Sequence, residues 1–245
     1  MALSFVHQQR FYRDRIIAQH LVSFTVVVQE TDLFILAETQ LADRARQSVL
    51  NYRYQLEEYI RQHPSFLHTL TPLPPDPHAP PLVRAMMEAA RQADVGPMAA
   101  VAGALAAQVG EDLLQHTGQV VIENGGDIYI KVSRDIRIGI YAGSSPLSNK
   151  LGLLISSGKT PLGVCTSSGT VGHSLSFGKA DAVTIIAASA ALADAAATSV
   201  GNCITSKADI ERGLDRAQQI AGVTGALIVA EDRFGAWGEV ELLHL

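Results

Sequence analysis

The spacing of apolar positions switches between two residues and three-to-four residues along this chain, and the switches predict its elements. Residues 20–37 hold two runs rich in β-branched and aromatic side chains, HLVSFTVVVQ and DLFILAE, which meet around Glu30, Thr31 and Asp32 and predict a hairpin. A further strand is expected at residues 5–12. Over residues 40–62 the period lengthens: Leu41, Ala45, Val49, Tyr52, Leu56, Tyr59 and Ile60 form one stripe of a long amphipathic helix whose charged face is solvated. The run TPLPPDPHAPP at residues 71–81 is a loop, because proline removes backbone donors and fixes φ. Helices follow at residues 82–93 and 97–115, the second rich enough in Ala and Gly to approach a sheet or a ligand closely.

Short β-type runs then occupy residues 120–123, 128–132, 136–141, 152–156, 163–166 and 182–187, with helices at 189–200 and 206–221 and strands at 226–230 and 237–243. In the last helix Ser206 and Asp209 predict a capping box, and Ile210, Leu214, Ala217 and Ile220 supply the apolar stripe. Hairpins and helices are segregated, which is an α+β pattern with an antiparallel sheet and packed helices. We expect one domain over residues 1–245, either a single body or two tightly packed lobes with loop 71–81 between the amino-terminal hairpin and helix and the region that carries the motifs.

Composition narrows the function classes. The chain has 245 residues, 47% hydrophobic and 18% charged, enough for a substantial core. Its net charge of -5 argues against a nucleic-acid surface, which needs clustered Lys and Arg. MALSFVHQQRFYRDR shows no signal-peptide pattern, and the apolar stretch 182–201 carries Asp194 and is Ala-rich, so a cytoplasmic protein with no membrane span is expected. Cys165 and Cys203 are the only cysteines and form no zinc motif.

Three small-residue motifs hold the candidate chemistry: NGGDIYI from Asn124, CTSSGTVGHS from Cys165, and ADAAAT from Ala193 to Thr198. In the first, glycines let backbone amides approach phosphate oxygens, although NGGD between two strands is also an ordinary hairpin turn. The second offers several hydroxyls that could converge on phosphate or ribose oxygens, the plainer alternative being a polar loop with a satisfied His173. Cys165 reads as a buried small residue rather than a nucleophile. In the third, Asp194 and Thr198 lie one helical turn apart and could give hard oxygen ligands to one magnesium ion. A carboxylate in so apolar a helix needs a partner, and an arginine, a lysine or a helix-end amide would serve as well as a cation. SSGKT at residues 156–160 imitates a phosphate loop but has Leu153 where glycine is required and Pro161 where a helix must follow, and no GxSxG elbow surrounds Ser167 or Ser168.

Gly125-Gly126-Asp127, Thr166-Ser167-Ser168-Gly169 and Ala193-Asp194-Ala195 with Thr198, in this order, resemble the motifs of the ApbE-type FAD:protein FMN transferases. From GPMAAVAG at Gly96 to Asn202 the chain is more similar still to the UPF0280 branch related to them. The resemblance implies a flavin-transferase-like α+β fold, FAD as ligand, and magnesium held by Asp194 and Thr198. It implies that Asn124, Gly125, Gly126, Asp127, Thr166, Ser167, Ser168 and Gly169 line the ligand, and that FMN passes to a Ser or Thr hydroxyl of an acceptor protein as AMP leaves. Two segments depart from the family: Val101-Ala102-Gly103 stands where the transferases carry Ala-Lys-Gly, and GHSLSFGKAD replaces their His-His-Ile and Asp-Pro-x-Thr-Gly segment. Within it His173 and Asp181 are the loose substitutes for a catalytic base. Three functions are therefore weighed: a magnesium-dependent enzyme acting on FAD or a related nucleotide, a flavin- or nucleotide-binding protein without turnover, and an unrelated cytoplasmic hydrolase using Cys165 or Ser168 with His173. The Ala- and Gly-rich helices could pack within one chain or across a homodimer.

Overall fold

The computed structural model describes residue 13 and residues 16–18, 20–170 and 178–245. The strand expected at residues 5–12, and His173, lie outside the described residues. Among the described residues the first strand is β1 (Ile16–Ile17), followed by the expected hairpin, β2 (Val22–Val28) and β3 (Thr31–Ala37). Helices α1 (Ala42–Gln62), α2 (Ser65–His68), α3 (Pro81–Ala93) and α4 (Val101–Leu113) follow, the last preceded by a 3-10 turn at Pro97–Ala100. Then come β4 (Val120–Asn124), β5 (Asp127–Lys131), β6 (Ile136–Gly139), β7 (Leu151–Ile155), β8 (Leu162–Ser167) and β9 (Ala182–Ala187). The chain ends with α5 (Ala190–Gly201), α6 (Ile210–Gln219), β10 (Val223–Ala230), β11 (Arg233–Gly238) and β12 (Leu242–His244).

Eight strands form one antiparallel sheet in the order β11-β10-β9-β8-β5-β4-β3-β2, and β1-β6-β7-β12 form a second. Strand side chains alternate between faces, and the large sheet uses both. Ile122, Tyr129, Cys165 and Ile185 pack on the helices. Their neighbours Val121, Ile128, Ile130, Val164 and Ile186 pack with Ile136, Ile138 and Leu153 of the small sheet. The molecule is thus a helix layer, a large sheet and a small sheet, with an apolar core in each gap. Ala45, Val49 and Leu56 share the helix-side core with Leu82, Val83 and Met86, so loop 71–81 does not separate two cores.

Helix α5 comes unusually close to β8 and α4 because both partners are small. A Cβ on Gly163 would lie 2.3 Å from the Ala190 Cα, and one on Gly103 would lie 2.3 Å from the Ala190 carbonyl oxygen. The capping box at the start of the last helix is formed, Ser206 accepting from the Ala208 amide and the Asp209 side chain from the Ser206 amide. Residues 237–243, expected as a single strand, instead change sheets. Gly238 takes φ 76° at the end of β11, after which β12 pairs with β7 rather than β10. Among the described residues no helix is long and apolar enough to cross a membrane.

Candidate functional site

The first motif is a tight turn. Asn124 and Asp127 pair across β4 and β5, and Gly125 and Gly126 connect them with φ 69° and 108°, the two positive values that a type I′ hairpin turn requires. Cross-strand partners share a face, so Asn124 and Asp127 both project toward the helices. Asn124 Nδ2 donates to the Ala102 carbonyl at 3.1 Å, fastening the turn to the first residues of α4. The Gly126 amide, which the sequence offered for phosphate, donates instead to Glu123 Oε1 at 2.8 Å.

Opposite the turn stands α5. Ten of its twelve residues are buried, and the two that are not are Asp194 and Thr198. Serine 189 caps the helix through the Leu192 amide, so the polar pair is not needed to start it. Asp194 Oδ2 accepts from the Gly103 amide at 2.9 Å, and the Ala102 amide also bonds this carboxylate. Ala100, at the cap position of α4, has no side chain that can accept these bonds. Asp194 therefore caps α4 from another helix, so the helix-end amides that the sequence left as one alternative are its partners.

These bonds leave the charge incompletely compensated. Burial pushes Asp194 up to about 7 even though the Gly103 and Ala102 amides pull the other way. Asp127 is driven well above the usual carboxylate range, by burial first and then by the charge of Asp194, against the Cys165 thiol and the Thr166 amide. Among the described residues neither carboxylate is ion-paired with Lys, Arg or His. No cluster of three His, Cys, Asp or Glu side chains occurs among them either. The oxygens on offer are two carboxylates and the Thr198 hydroxyl. That set is too poor for a closed protein cage but suits magnesium, which typically binds one or two carboxylates and completes its shell with water and substrate phosphate.

The second motif divides between the two faces of the sheet. Cys165 points at the helices, is fully buried, and donates its thiol to the Ala190 carbonyl at 3.3 Å; burial and the nearby aspartates push its pKa far up. Thr166 faces the other way, its hydroxyl 2.9 Å from that of buried Thr184, and only its amide reaches back, to the Gly126 carbonyl at 3.2 Å. Ser167 returns to the helix side by alternation and is partly exposed. Gly169 is pinned through its amide to the Ala180 carbonyl at 2.9 Å. Asp181 is buried, with Oδ2 accepting from the Glu231 amide at 2.7 Å and Oδ1 from the Thr170 hydroxyl at 3.2 Å, so it ties the loop to the turn after β10.

The structure thus brings together Asn124, Gly125, Gly126, Asp127 and Asp194 at the start of α4, with Thr198 one turn along α5 from Asp194 and Ser167 at the end of β8, and holds Thr166 and Asp181 by contacts of their own. Sequence reasoning missed the Ala102 and Gly103 amides and the pair Arg13 and Glu123. The signal for Glu123 was present, as a lone carboxylate closing an apolar strand.

A family model described as AbpE bacteria matches residues 13–233. The chain is 40% identical over 229 residues to a UPF0280 protein of Methanococcus vannielii, covering 91% of this chain and 93% of that one. With a UPF0280 protein of Methanothrix thermoacetophila identity is 46% over 202 residues, covering 80% and 83%. Among solved structures, the apo flavinyl transferase ApbE of Pseudomonas stutzeri superposes with a TM-score of 0.60 at 14% identity, over 91% of this chain and 95% of that one. The ApbE protein of Thermotoga maritima gives 0.52 at 14% identity, over 88% and 96%. At such identities the likeness is one of fold.

Proposed function

We propose, from the premise that the chain belongs to the ApbE-like family in its UPF0280 branch, that it binds a flavin nucleotide with a magnesium ion at the Asp194 face and transfers FMN from FAD. One observation carries this reading: the two residues of α5 that keep partial exposure are a carboxylate and a hydroxyl one turn apart, and the Asp194 carboxylate lies close enough to buried Asp127 for its charge to raise the proton affinity of Asp127. Two carboxylates whose bonds only partly offset their burial are costly in such a place, and a divalent cation offsets that cost.

Asp194 and Thr198 would hold the ion from α5 and Asp127 from the turn. When bound, magnesium neutralises charge on phosphoryl oxygens and on the leaving group. The chain's own residues orient the ligand. Asn124 and the Gly125–Gly126 turn form one wall, and Ser167, Ser168 and Gly169 the other. Gly125 is exposed and its absent side chain leaves open space. Transfer joins an acceptor Ser or Thr oxygen to the FMN phosphorus and breaks the pyrophosphate bridge; AMP leaves, and the hydroxyl proton passes to a base. His173 is our candidate for that base, while Asp181, with both oxygens bonded, ties Thr170 to the turn after β10. Ala102, where the transferases have lysine, brings no cation, so the metal bears more of the phosphate charge. We place the protein in the cytoplasm on its sequence.

A second reading, flavin binding without turnover, is favoured by that same Ala102. Incubating the protein with FAD, with and without magnesium, in wild type and Asp194→Asn, separates the two when flavin binding and AMP release are both measured. Magnesium-dependent AMP release by wild type alone supports transfer, stoichiometric binding without AMP with any acceptor supports the second reading, and no FAD binding removes flavin as the ligand.

A further inference from the structure

On the face of the sheet turned away from the helices, a buried ion-pair chain grips the Asn124–Asp127 turn from behind. Glu123 is 1% exposed; its Oε1 accepts from the Gly126 amide at 2.8 Å and its Oε2 from Arg13 Nε at 2.7 Å. Arg13 spends its other two nitrogens on Asp32, Nη1 to Oδ1 at 2.9 Å and Nη2 to the backbone carbonyl at 2.7 Å, with its guanidinium carbon 5.9 Å above the Phe34 ring. Gly126 in turn accepts from the Thr166 amide at 3.2 Å. One line of bonds therefore runs from Asp32 through Arg13, Glu123 and Gly126 to Thr166 in β8.

A Gly-Gly turn with positive φ forms on its own chemistry and needs no buried carboxylate to hold it. Burying a carboxylate is costly before its partners are counted. Better-packed apolar residues would stabilise the same strand, so the gain is one of placement. Asp127 follows Gly126 directly and faces Asp194.

We infer that Arg13, acting through Glu123, is a positioning residue that fixes the Gly125–Gly126 turn and thereby sets Asp127 against Asp194. Only the metal-binding arm of the test rests on the proposed function; the placement of the turn is tested without it.

The test compares wild type with Arg13→Lys and the milder Asp32→Asn by NMR-resolved amide hydrogen exchange and by Mn2+ binding. Lysine keeps the charge but not the planar fork that reaches Glu123 and Asp32 together, so Gly126 should exchange about tenfold faster. Amides of β10 and β11, at the far edge of the sheet, should keep their rates, and Mn2+ should bind several-fold more weakly. Unchanged exchange at Gly126 in both variants overturns the inference, as does an equal rise at every amide. Faster Gly126 exchange with unaltered Mn2+ affinity overturns the link to Asp127. If wild type binds no Mn2+, it is the proposed function that fails, and Gly126 exchange alone decides the role of Arg13.

Discussion

Asp194, on α5, holds the amino-terminal end of α4 by accepting the Gly103 amide at 2.9 Å. The residue proposed as the metal ligand is thus also a structural cap, and substitutions must separate the two roles. Asparagine keeps an acceptor for the amide but loses the charge, whereas alanine loses both. At about pH 4, where the folded state keeps Asp194 protonated and no buried charge is at stake, Asp194→Ala should cost about 1 kcal/mol of stability, the usual loss for a removed cap, and Asp194→Asn much less. Both should abolish magnesium-dependent binding. Urea unfolding beside calorimetric titration with Mg2+ and FAD checks this, and an Asp194→Asn protein that binds magnesium normally would remove Asp194 from the site.

Gly103 is the other half of that relationship. A methyl there would lie 2.3 Å from the Ala190 carbonyl oxygen and 2.9 Å from the Asp194 Cβ. Both are backbone or backbone-proximal atoms that cannot swing aside, so α4 and α5 must separate. Gly103→Ala should therefore destabilise by about 1–3 kcal/mol, as overpacking does, despite alanine's better helix propensity. A Gly103→Ala protein as stable as wild type in urea would show that the helices are not held at this distance.

Periodicity carried most of the fold. The hairpin, the long helix and the capping box at Ser206 were legible because each depends on residues close in sequence. The crossing of residues 237–243 between sheets was not, since it follows from a positive φ at Gly238 and from pairing with β7, far away in the chain. The same limit applied at the site. That Asp194 needed a partner could be read from the alanines around it, but that the partner is the start of α4, 91 residues earlier, depends on how two helices cross. Thr166 looked like a ligand-facing hydroxyl by type; strand alternation turns it to Thr184 on the opposite face.

Cys165 separates the transferase reading from a thiol hydrolase. Its thiol is fully buried, bonded to the Ala190 carbonyl and held protonated by burial and by Asp127 and Asp194. A nucleophile needs the thiolate. Native protein treated with iodoacetamide at pH 8 should be modified at Cys203, which is partly exposed, and not at Cys165. Cys165→Ser should leave any AMP release within a few-fold of wild type. Rapid alkylation of Cys165 with loss of activity would reverse the argument.

Two carboxylates should make stability respond to pH in opposite senses. Asp209 is lowered to about 2 by the Thr205 hydroxyl and then by the Thr205 and Ser206 amides. An unfolded aspartate titrates near about 3.9, so the stabilisation from Asp209 is complete above that value and is lost as pH falls through about 2. Asp194 is raised by burial to about 7, so the folded state holds a proton that the unfolded chain has released. Its contribution is complete below about 3.9 and is lost as pH rises toward about 7. Asp127, also raised, acts in the same direction, and removing the Asp194 charge relieves it. Melting temperatures taken in EDTA from pH 2 to 8 should show Asp194→Asn gaining on wild type between pH 4 and 7, and the deficit of Asp209→Asn shrinking between pH 4 and 2. Excess magnesium at pH 8 should raise wild type toward Asp194→Asn, because the ion stabilises the ionised pair that burial penalises. A wild-type curve parallel to that of Asp194→Asn across the whole range would mean that Asp194 carries no buried charge, and the case for a cation beside it would fall with it.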